Sequence, residues 1–298
     1  YGVSFAGIFT PGTDPAGAYT YTVAGTPQCP SGSAAVTVNV LSNPDAGLDG
    51  ALTLCSTNAS VDLFTALGGT PDPGGLWIDP LGQPMTTLFD PDSSTTGLYT
   101  YLVLVTQPCI NDTAQVNVAV VIAPEAGMNG TWTRCVNDPP VTLFGLLGGT
   151  PDAGGSWTAP NNQPFTGSFD PALDAPGNYT YIVAGTSPCP NDVAAVTLTV
   201  DPMPDAGIDG STTVCPEAAP VTLFALLGGA PDAGGQWTDP NGAACTGVFD
   251  PSSSPQGVYT YTVISQGACP NVSATATVSV YVIAVPDAGP DMVVCDQS

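Results

Sequence analysis

The chain has 298 residues, 43% of them hydrophobic, and it contains 35 glycines and 32 prolines. Because so many turn-forming residues would interrupt long helices, the composition predicts short β-strands. The chain has one basic residue, Arg134, and 25 acidic residues, which gives a formal charge of −24. Because this charge would repel nucleic acid phosphates, we expect no nucleic acid partner. The sequence has no histidine and no lysine, which removes histidine-based acid/base and Schiff-base chemistry, and we expect no enzyme activity.

The sequence also carries signals about its compartment. It has no apolar run of about 18 residues and no charged region followed by an apolar one, so we expect any signal peptide or anchor to lie outside this segment. Nine cysteines with regular spacing in a strongly acidic chain indicate an oxidising, extracellular setting.

An internal repeat with a period of about 80 residues runs through the whole chain. The tripeptide Phe-Asp-Pro begins at Phe89, Phe169 and Phe249, and a diverged copy begins at Phe9. This repeat period gives a partial unit at 1–42, full units at 43–122, 123–202 and 203–282, and a partial unit at 283–298. Because both partial units are cut inside a repeat, we expect the chain to be a segment of a longer protein.

Within one unit, the pattern predicts about seven short strands. In residues 43–122 these include a strand that ends at Cys55, a second that starts at Val61, and strands at 76–78, 85–89, 99–105 and 116–120, separated by Pro/Gly turns. A single tryptophan on a middle strand and a tyrosine near the start of the penultimate strand are typical of an immunoglobulin-like sandwich. The predicted fold is therefore all-β, with tandem immunoglobulin-like β-sandwich domains arranged as beads on a string.

One tryptophan and one tyrosine pair recur in each full unit: Trp77, Trp157 and Trp237, with Tyr99/Tyr101, Tyr179/Tyr181 and Tyr259/Tyr261. Exposed aromatic rings would suit sugar stacking, whereas rings that recur once per unit on strands are more often core residues. We favour the core.

Eight cysteines form two series that follow the repeat period: Cys55, Cys135, Cys215 and Cys295, and Cys29, Cys109, Cys189 and Cys269. Because each full unit owns one member of each series, we predict disulfides within units, namely Cys55–Cys109, Cys135–Cys189 and Cys215–Cys269, with the partners of Cys29 and Cys295 outside the segment. Closing such a loop would contribute about 4 kcal/mol. The alternative pairing joins Cys29 to Cys55, and the equivalent cysteines of the later units, across unit boundaries. Such bonds would link neighbouring units covalently into a rod.

The ninth cysteine, Cys245, lies outside both series. At whole repeat periods before it stand Phe5, Met85 and Phe165, all apolar. We therefore predict a free thiol at a buried core position, with no base nearby to activate it.

The linker turns repeat a spaced acidic pair: Asp45 with Asp49, Glu125 with Asn129, Asp205 with Asp209, and Asp287 with Asp291. Such oxygen ligands suit calcium, which takes six to eight of them. The alternative is ordinary Asx turns that need no metal. Since two carboxylates make only part of a calcium shell, we favour the turns, and calcium is the single cofactor candidate.

Three blocks together resemble a known family: Pro-Asp-Ala-Gly-x-Asp before a cysteine (204–215; 286–295), Val-Thr-Leu-Phe-x-Leu-Leu-Gly-Gly (141–149; 221–229), and Gly-x-Tyr-Thr-Tyr followed by Cys-Pro. They resemble the immunoglobulin-like or PKD-like repeats of giant cell-surface proteins of Bacteroidota, including gliding-type adhesins exported by type IX secretion. Two details depart from the pattern: Glu125 replaces the aspartate of the other linkers, and the last linker has two extra residues before Pro286 and two fewer before Cys295.

The resemblance implies a structural stalk or filament segment of an extracellular, bacterial cell-surface adhesin. Its expected partners are the neighbouring repeats, other copies in a filament, and a surface or glycan ligand at a distal region elsewhere. A carbohydrate-binding repeat and an accessory region of a large secreted enzyme are the alternatives. In those bacteria O-glycans are attached at Asp-Ser/Thr before a small or apolar residue, which makes Thr113 a candidate glycosylation site.

Overall fold

The computed structural model describes residues 4–282, 284, 289 and 291–292. The chain is all-β and divides into two compact units, one formed by residues 1–123 with 185–190 and the other by residues 124–184 with 191–298. None of the helices in the described part of the chain has the length and apolar character needed to cross a membrane.

The first unit begins with an antiparallel hairpin of β1 (Gly17–Val23) and β2 (Gly32–Val38). The first full repeat follows with seven strands: β3 (Gly50–Cys55), β4 (Val61–Asp62), β5 (Leu76–Ile78), β6 (Pro84–Met85), β7 (Leu88–Phe89), β8 (Gly97–Val103) and β9 (Asp112–Val121). One sheet has the order β3-β9-β8-β5-β6, and β4 and β7 form a second sheet of two strands.

The second unit contains the same arrangement twice. Its first set is β10 (Gly130–Cys135), β11 (Val141–Thr142), β12 (Ser156–Thr158), β13 (Pro164–Phe165), β14 (Ser168–Phe169), β15 (Gly177–Val183) and β16 (Asp192–Asp201). Its second set is β17 (Gly210–Val214), β18 (Val221–Thr222), β19 (Gln236–Thr238), β20 (Ala244–Cys245), β21 (Val248–Phe249), β22 (Gly257–Val263) and β23 (Val272–Val280). The sheet orders repeat those of the first unit, so the predicted fold of tandem immunoglobulin-like β-sandwiches is confirmed.

The first and last long strands of each full repeat run parallel to one another. Gly50 pairs with Val116 and Cys55 with Val121, and the same register recurs between β10 and β16 and between β17 and β23. All other strand pairs of the three repeats are antiparallel. The first strand therefore ends where the last strand ends.

Three details differ from the predicted strands of residues 43–122. The strand that starts at Val61 stops after two residues, where a 3₁₀ helix begins at Leu63–Ala66, and the Asp62 carboxylate caps this helix by accepting the backbone N–H of Phe64 at 3.0 Å. The segment 85–89 is divided between β6 and β7, which belong to different sheets. The strand from Tyr99 ends at Val103, so Val105 lies in the loop.

The recurring aromatic residues form the core of each repeat, as favoured above. Tyr181 packs against Trp157 with ring centroids 4.9 Å apart, and its hydroxyl donates to the Asp152 carbonyl at 2.7 Å and accepts the Gly155 N–H at 2.8 Å. Tyr179 donates to the Ala175 carbonyl at 2.7 Å, which is the tyrosine corner of immunoglobulin-like domains. Both tyrosines are buried, so they offer no stacking surface for a sugar.

Candidate functional site: the cysteine ladder

The first unit contains a disulfide between Cys55 and Cys189, 134 residues apart in sequence, with Cα atoms 4.9 Å apart. Cys55 is the last residue of β3 and is fully buried, and its backbone N–H donates to the Asn58 side-chain oxygen at 2.8 Å. Cys189 lies in the loop between β15 and β16, with its Sγ 3.3 Å from the carbonyl oxygen of Val121, the last residue of β9. The bond therefore joins strand-end residues of one repeat to a loop of the next repeat in sequence.

The second unit contains the equivalent disulfide, Cys135–Cys269, also 134 residues apart and with Cα atoms 4.6 Å apart. Cys135 is the last residue of β10, and Cys269 lies in the loop between β22 and β23. The Cys269 Sγ is 3.4 Å from the carbonyl oxygen of Asp201, the last residue of β16. The two linkages thus share one design, displaced by one repeat period.

The predicted disulfides within single repeats, Cys55–Cys109, Cys135–Cys189 and Cys215–Cys269, are wrong, because Cys55 is bonded to Cys189 and Cys135 to Cys269. Cys55 ends β3, which runs parallel to β9, so it lies beside the end of β9 at Val121. Cys109 precedes the start of β9 at Asp112. At about 3.3 Å per residue, the two ends of β9 are about 30 Å apart, whereas a disulfide needs Cα atoms within about 7 Å.

The alternative that joined Cys29 to Cys55 is also wrong, although a link across repeats is what the structure contains. Cys29 and Cys215 are exposed and Cys109 is partly exposed, and none of the three is disulfide-bonded within the described residues. Cys295 lies outside the described residues.

The loop that carries the second cysteine of each bond is held close to the strand end it meets. In the second unit, the carboxylate of Asp201 accepts the backbone N–H of Ala268 at 2.6 Å. A Cβ at Gly267 would overlap that carboxylate, so a larger residue there would displace the Asp201 side chain from this hydrogen bond. A Cβ at Gly185 would likewise overlap backbone atoms of Cys189 and Pro190 within its own loop.

Four of the linker residues proposed for calcium accept hydrogen bonds from nearby backbone N–H groups. Asp45 accepts the N–H of Gly47 at 2.8 Å, and Asp205 accepts that of Gly207 at 2.7 Å. The later members of the pairs reach the last strand of their own repeat: Asp49 accepts from Gln115, Asn129 from Ala195 and Asp209 from Thr275. No group of three or more metal-binding side chains occurs within the described part of the chain. Asp291 lies outside any strand and Asp287 outside the described residues.

Two further sets of aspartates hold the same linkers, and the sequence reasoning missed them. Asp72, Asp152 and Asp232 accept the N–H of Asp45, Glu125 and Asp205 at 2.9–3.0 Å. Asp112 and Asp192 accept the N–H of Ala46 and Ala126 at 2.8 and 2.7 Å. All five follow the repeat period, which was the signal available in the sequence.

The aspartate of each Phe-Asp-Pro motif closes its own turn. Asp90, Asp170 and Asp250 accept the N–H two residues later at 2.9–3.1 Å. At Asp250, the backbone N–H and hydroxyl of Ser252 both donate to the carboxylate and lower its pKa. These carboxylates therefore serve the turns that join strands.

Two remaining candidates have defined positions. Cys245 is half-buried on β20, paired with Trp237, and packs against the core of its repeat with a free thiol. Thr113 is exposed on β9, opposite Leu102, where a glycan would meet solvent.

The fold and the cysteine arrangement together define the class, which is an array of immunoglobulin-like β-sandwiches with disulfides between successive repeats. Stable disulfides are typical of proteins in oxidising surroundings. No protein-family model and no curated protein matches the chain.

Among solved structures, the chain is similar to the I-band fragment I67–I69 of titin (TM-score 0.42, 10% identity, covering 82% of this chain and 100% of that one). It is also similar to the N-terminal four immunoglobulin domains of Dscam1 isoform 6.9 (TM-score 0.33, 15% identity, 84% and 77%). Immunoglobulin domains 1–5 of Sidekick-1 match with a TM-score of 0.32 and 10% identity, covering 89% and 75%. Likeness at this level carries no information about function.

Proposed function

We propose that this chain is a stalk or filament segment of a giant cell-surface adhesin of Bacteroidota, of the gliding type exported by type IX secretion. In this role the repeats hold a distal binding region away from the cell for surface attachment or gliding. The partners of each repeat are its neighbours in the chain and other copies in a filament.

The observation that carries the proposal is the pair of disulfides Cys55–Cys189 and Cys135–Cys269. A covalent bond between successive repeats keeps the array of repeats connected when the chain is under tension, which suits a structural stalk. It would be of little use to repeats that bind independently on flexible linkers.

The carbohydrate-binding alternative has less support. The recurring tryptophans and tyrosines are buried in the three full repeats, and exposed aromatic residues such as Tyr21 and Tyr281, which are 74% and 61% exposed, do not occupy equivalent positions. The accessory-region alternative has no observation in its favour.

The experiment removes one repeat, residues 123–202, from the protein in cells that produce it. Because the deletion spans one full repeat period, Cys269 takes the place of Cys189 in the shortened chain, and the linkage to Cys55 is kept. Antibodies against residues 203–282 should label a thread on intact cells that becomes shorter, while attachment persists.

As a matched comparison, the isolated chain is applied to a glycan array. A stalk gives no signal. Glycan binding by the isolated chain, or loss of attachment after a one-repeat deletion that leaves the distal region intact, would overturn the proposal.

A further inference from the structure

We propose that the two disulfides turn the repeat array into a tether of limited length, in which most of the first and third full repeats carries no tension. The cysteines follow one another in the order Cys55, Cys135, Cys189, Cys269, and the bonds join the first to the third and the second to the fourth. The two closed loops therefore overlap through residues 135–189. This goes beyond the proposed function, because it follows from the connectivity whatever the chain displays.

The overlap sets the shortest covalent route between Cys55 and Cys269. That route passes from Cys55 through the first disulfide to Cys189 and then follows the chain backwards to Cys135. From Cys135 it passes through the second disulfide to Cys269. Without the bonds, the route between the same two points is the whole of residues 55–269. At about 3.5 Å per extended residue, the limits are about 190 Å with the bonds and about 750 Å without them.

The route also decides which strands bear the load when the chain is pulled from its two ends. Tension passes through residues 135–189, which contain β11 to β15. Residues 56–134 and 190–268 lie off the route, so β4 to β9 of the first full repeat and β17 to β22 of the third cannot be drawn out. Unfolding under force is thereby confined to the middle repeat and to the segments outside Cys55 and Cys269.

The length limit depends on redox state. An added dithiol reduces each bond to two thiols and is itself oxidised to a disulfide, and reduction of both bonds restores the full route through residues 55–269. Loss of one bond leaves an intermediate route of one repeat period, through either residues 55–135 or residues 189–269. The oxidising setting that forms the bonds therefore also sets the maximum reach of the segment.

The test stretches the full chain between peptide tags at its two ends in a force spectrometer and measures the contour length of the fully extended route between Cys55 and Cys269. This contour length should be about 190 Å for the oxidised chain and about 750 Å for the reduced chain. In Cys55→Ser and in Cys135→Ser it should equal one repeat period, about 280 Å. Cys245→Ser, which removes a thiol outside both bonds, should behave like the unmodified chain.

Disulfides within single repeats give a different pattern, which makes the single variants decisive. With such pairs the contour length would be about 180 Å for the oxidised chain, close to the value above, but about 370 Å for Cys55→Ser. A contour length of about 370 Å in that variant, or equal contour lengths for the oxidised and reduced chains, would overturn the inference. Neither outcome bears on whether the protein is a stalk, which glycan binding and cell attachment decide.

Discussion

Cys55 and Val121 are paired across the parallel strands β3 and β9, and the sulfur of Cys189 lies against the carbonyl oxygen of Val121. This pairing places the first cysteine of the repeat, Cys55, at the end of the sheet where the last strand of the repeat, β9, finishes. The second cysteine of the same repeat, Cys109, precedes that strand and so belongs to the opposite end. The partner of Cys55 has to come from another repeat.

A digest with trypsin should reveal the pairing on a simple gel. Arg134 is the only basic residue, so cleavage of the urea-unfolded, unreduced chain yields fragments 1–134 and 135–298. Because Cys55–Cys189 joins these two fragments, we expect one band of full length without reductant and two bands with reductant. Two bands without reductant would mean that no disulfide joins the two fragments, which would exclude Cys55–Cys189 and agree with pairing within single repeats.

Two variants complete the digest. Cys55→Ser should release the two fragments without reductant, whereas Cys245→Ser should not. Retention of one band in Cys55→Ser would instead favour a bond such as Cys109–Cys135, which also spans the cleavage point.

Replacing Tyr181 by Phe should destabilise the middle repeat. The change keeps the packing on Trp157 but removes the hydroxyl that contacts the Asp152 carbonyl and the Gly155 N–H. Leaving these partly buried groups unpaired should cost about 1–3 kcal/mol, read from urea unfolding. Tyr21→Phe is the matched control, since Tyr21 occupies the same repeat position but is 74% exposed. Equal effects of the two changes would contradict this account.

Stability should fall at alkaline pH because of three core tyrosines. Burial, with a smaller contribution from nearby negative charge, raises the pKa of Tyr99, Tyr179 and Tyr259 above the ordinary value of 10.0. The unfolded chain therefore ionises first, so the stabilisation is complete below about pH 10 and is lost as pH rises from there through the folded-state pKa values. Urea unfolding at pH 8 and pH 11 measures the loss. A folded chain that forms tyrosinate at the same pH as the urea-unfolded chain would contradict it.

Calcium removal should leave the unfolding midpoint unchanged. The linker carboxylates of Asp45, Asp49, Asp205 and Asp209 already accept backbone N–H groups, and these bonds persist without a cation. Melting curves in excess chelator and in millimolar calcium provide the comparison, with magnesium as the control for ionic strength. A higher midpoint in calcium alone would establish a calcium site at the linkers.

Much of this molecule was predictable from its sequence because the repeat preserves local signals. Alternating apolar residues in 99–103 and 116–120 predicted strands, and the recurrence of Trp157 and Tyr181 at the repeat period predicted core positions. These features depend on neighbours a few residues away or on the period itself. The turn role of Asp250 follows from the same kind of local chemistry.

Only the tertiary structure decided the partner of each cysteine. The regular spacing of Cys55 and Cys109 indicated that disulfides exist, and it suited pairs within a single repeat as well as pairs between repeats. The spacing did not reveal whether β3 runs parallel or antiparallel to β9. Both kinds of pairing show the same alternation of side chains along each strand. Parallel pairing separates Cys55 from Cys109 by the length of the sheet and brings Cys55 to Cys189, and that is why successive repeats are joined covalently.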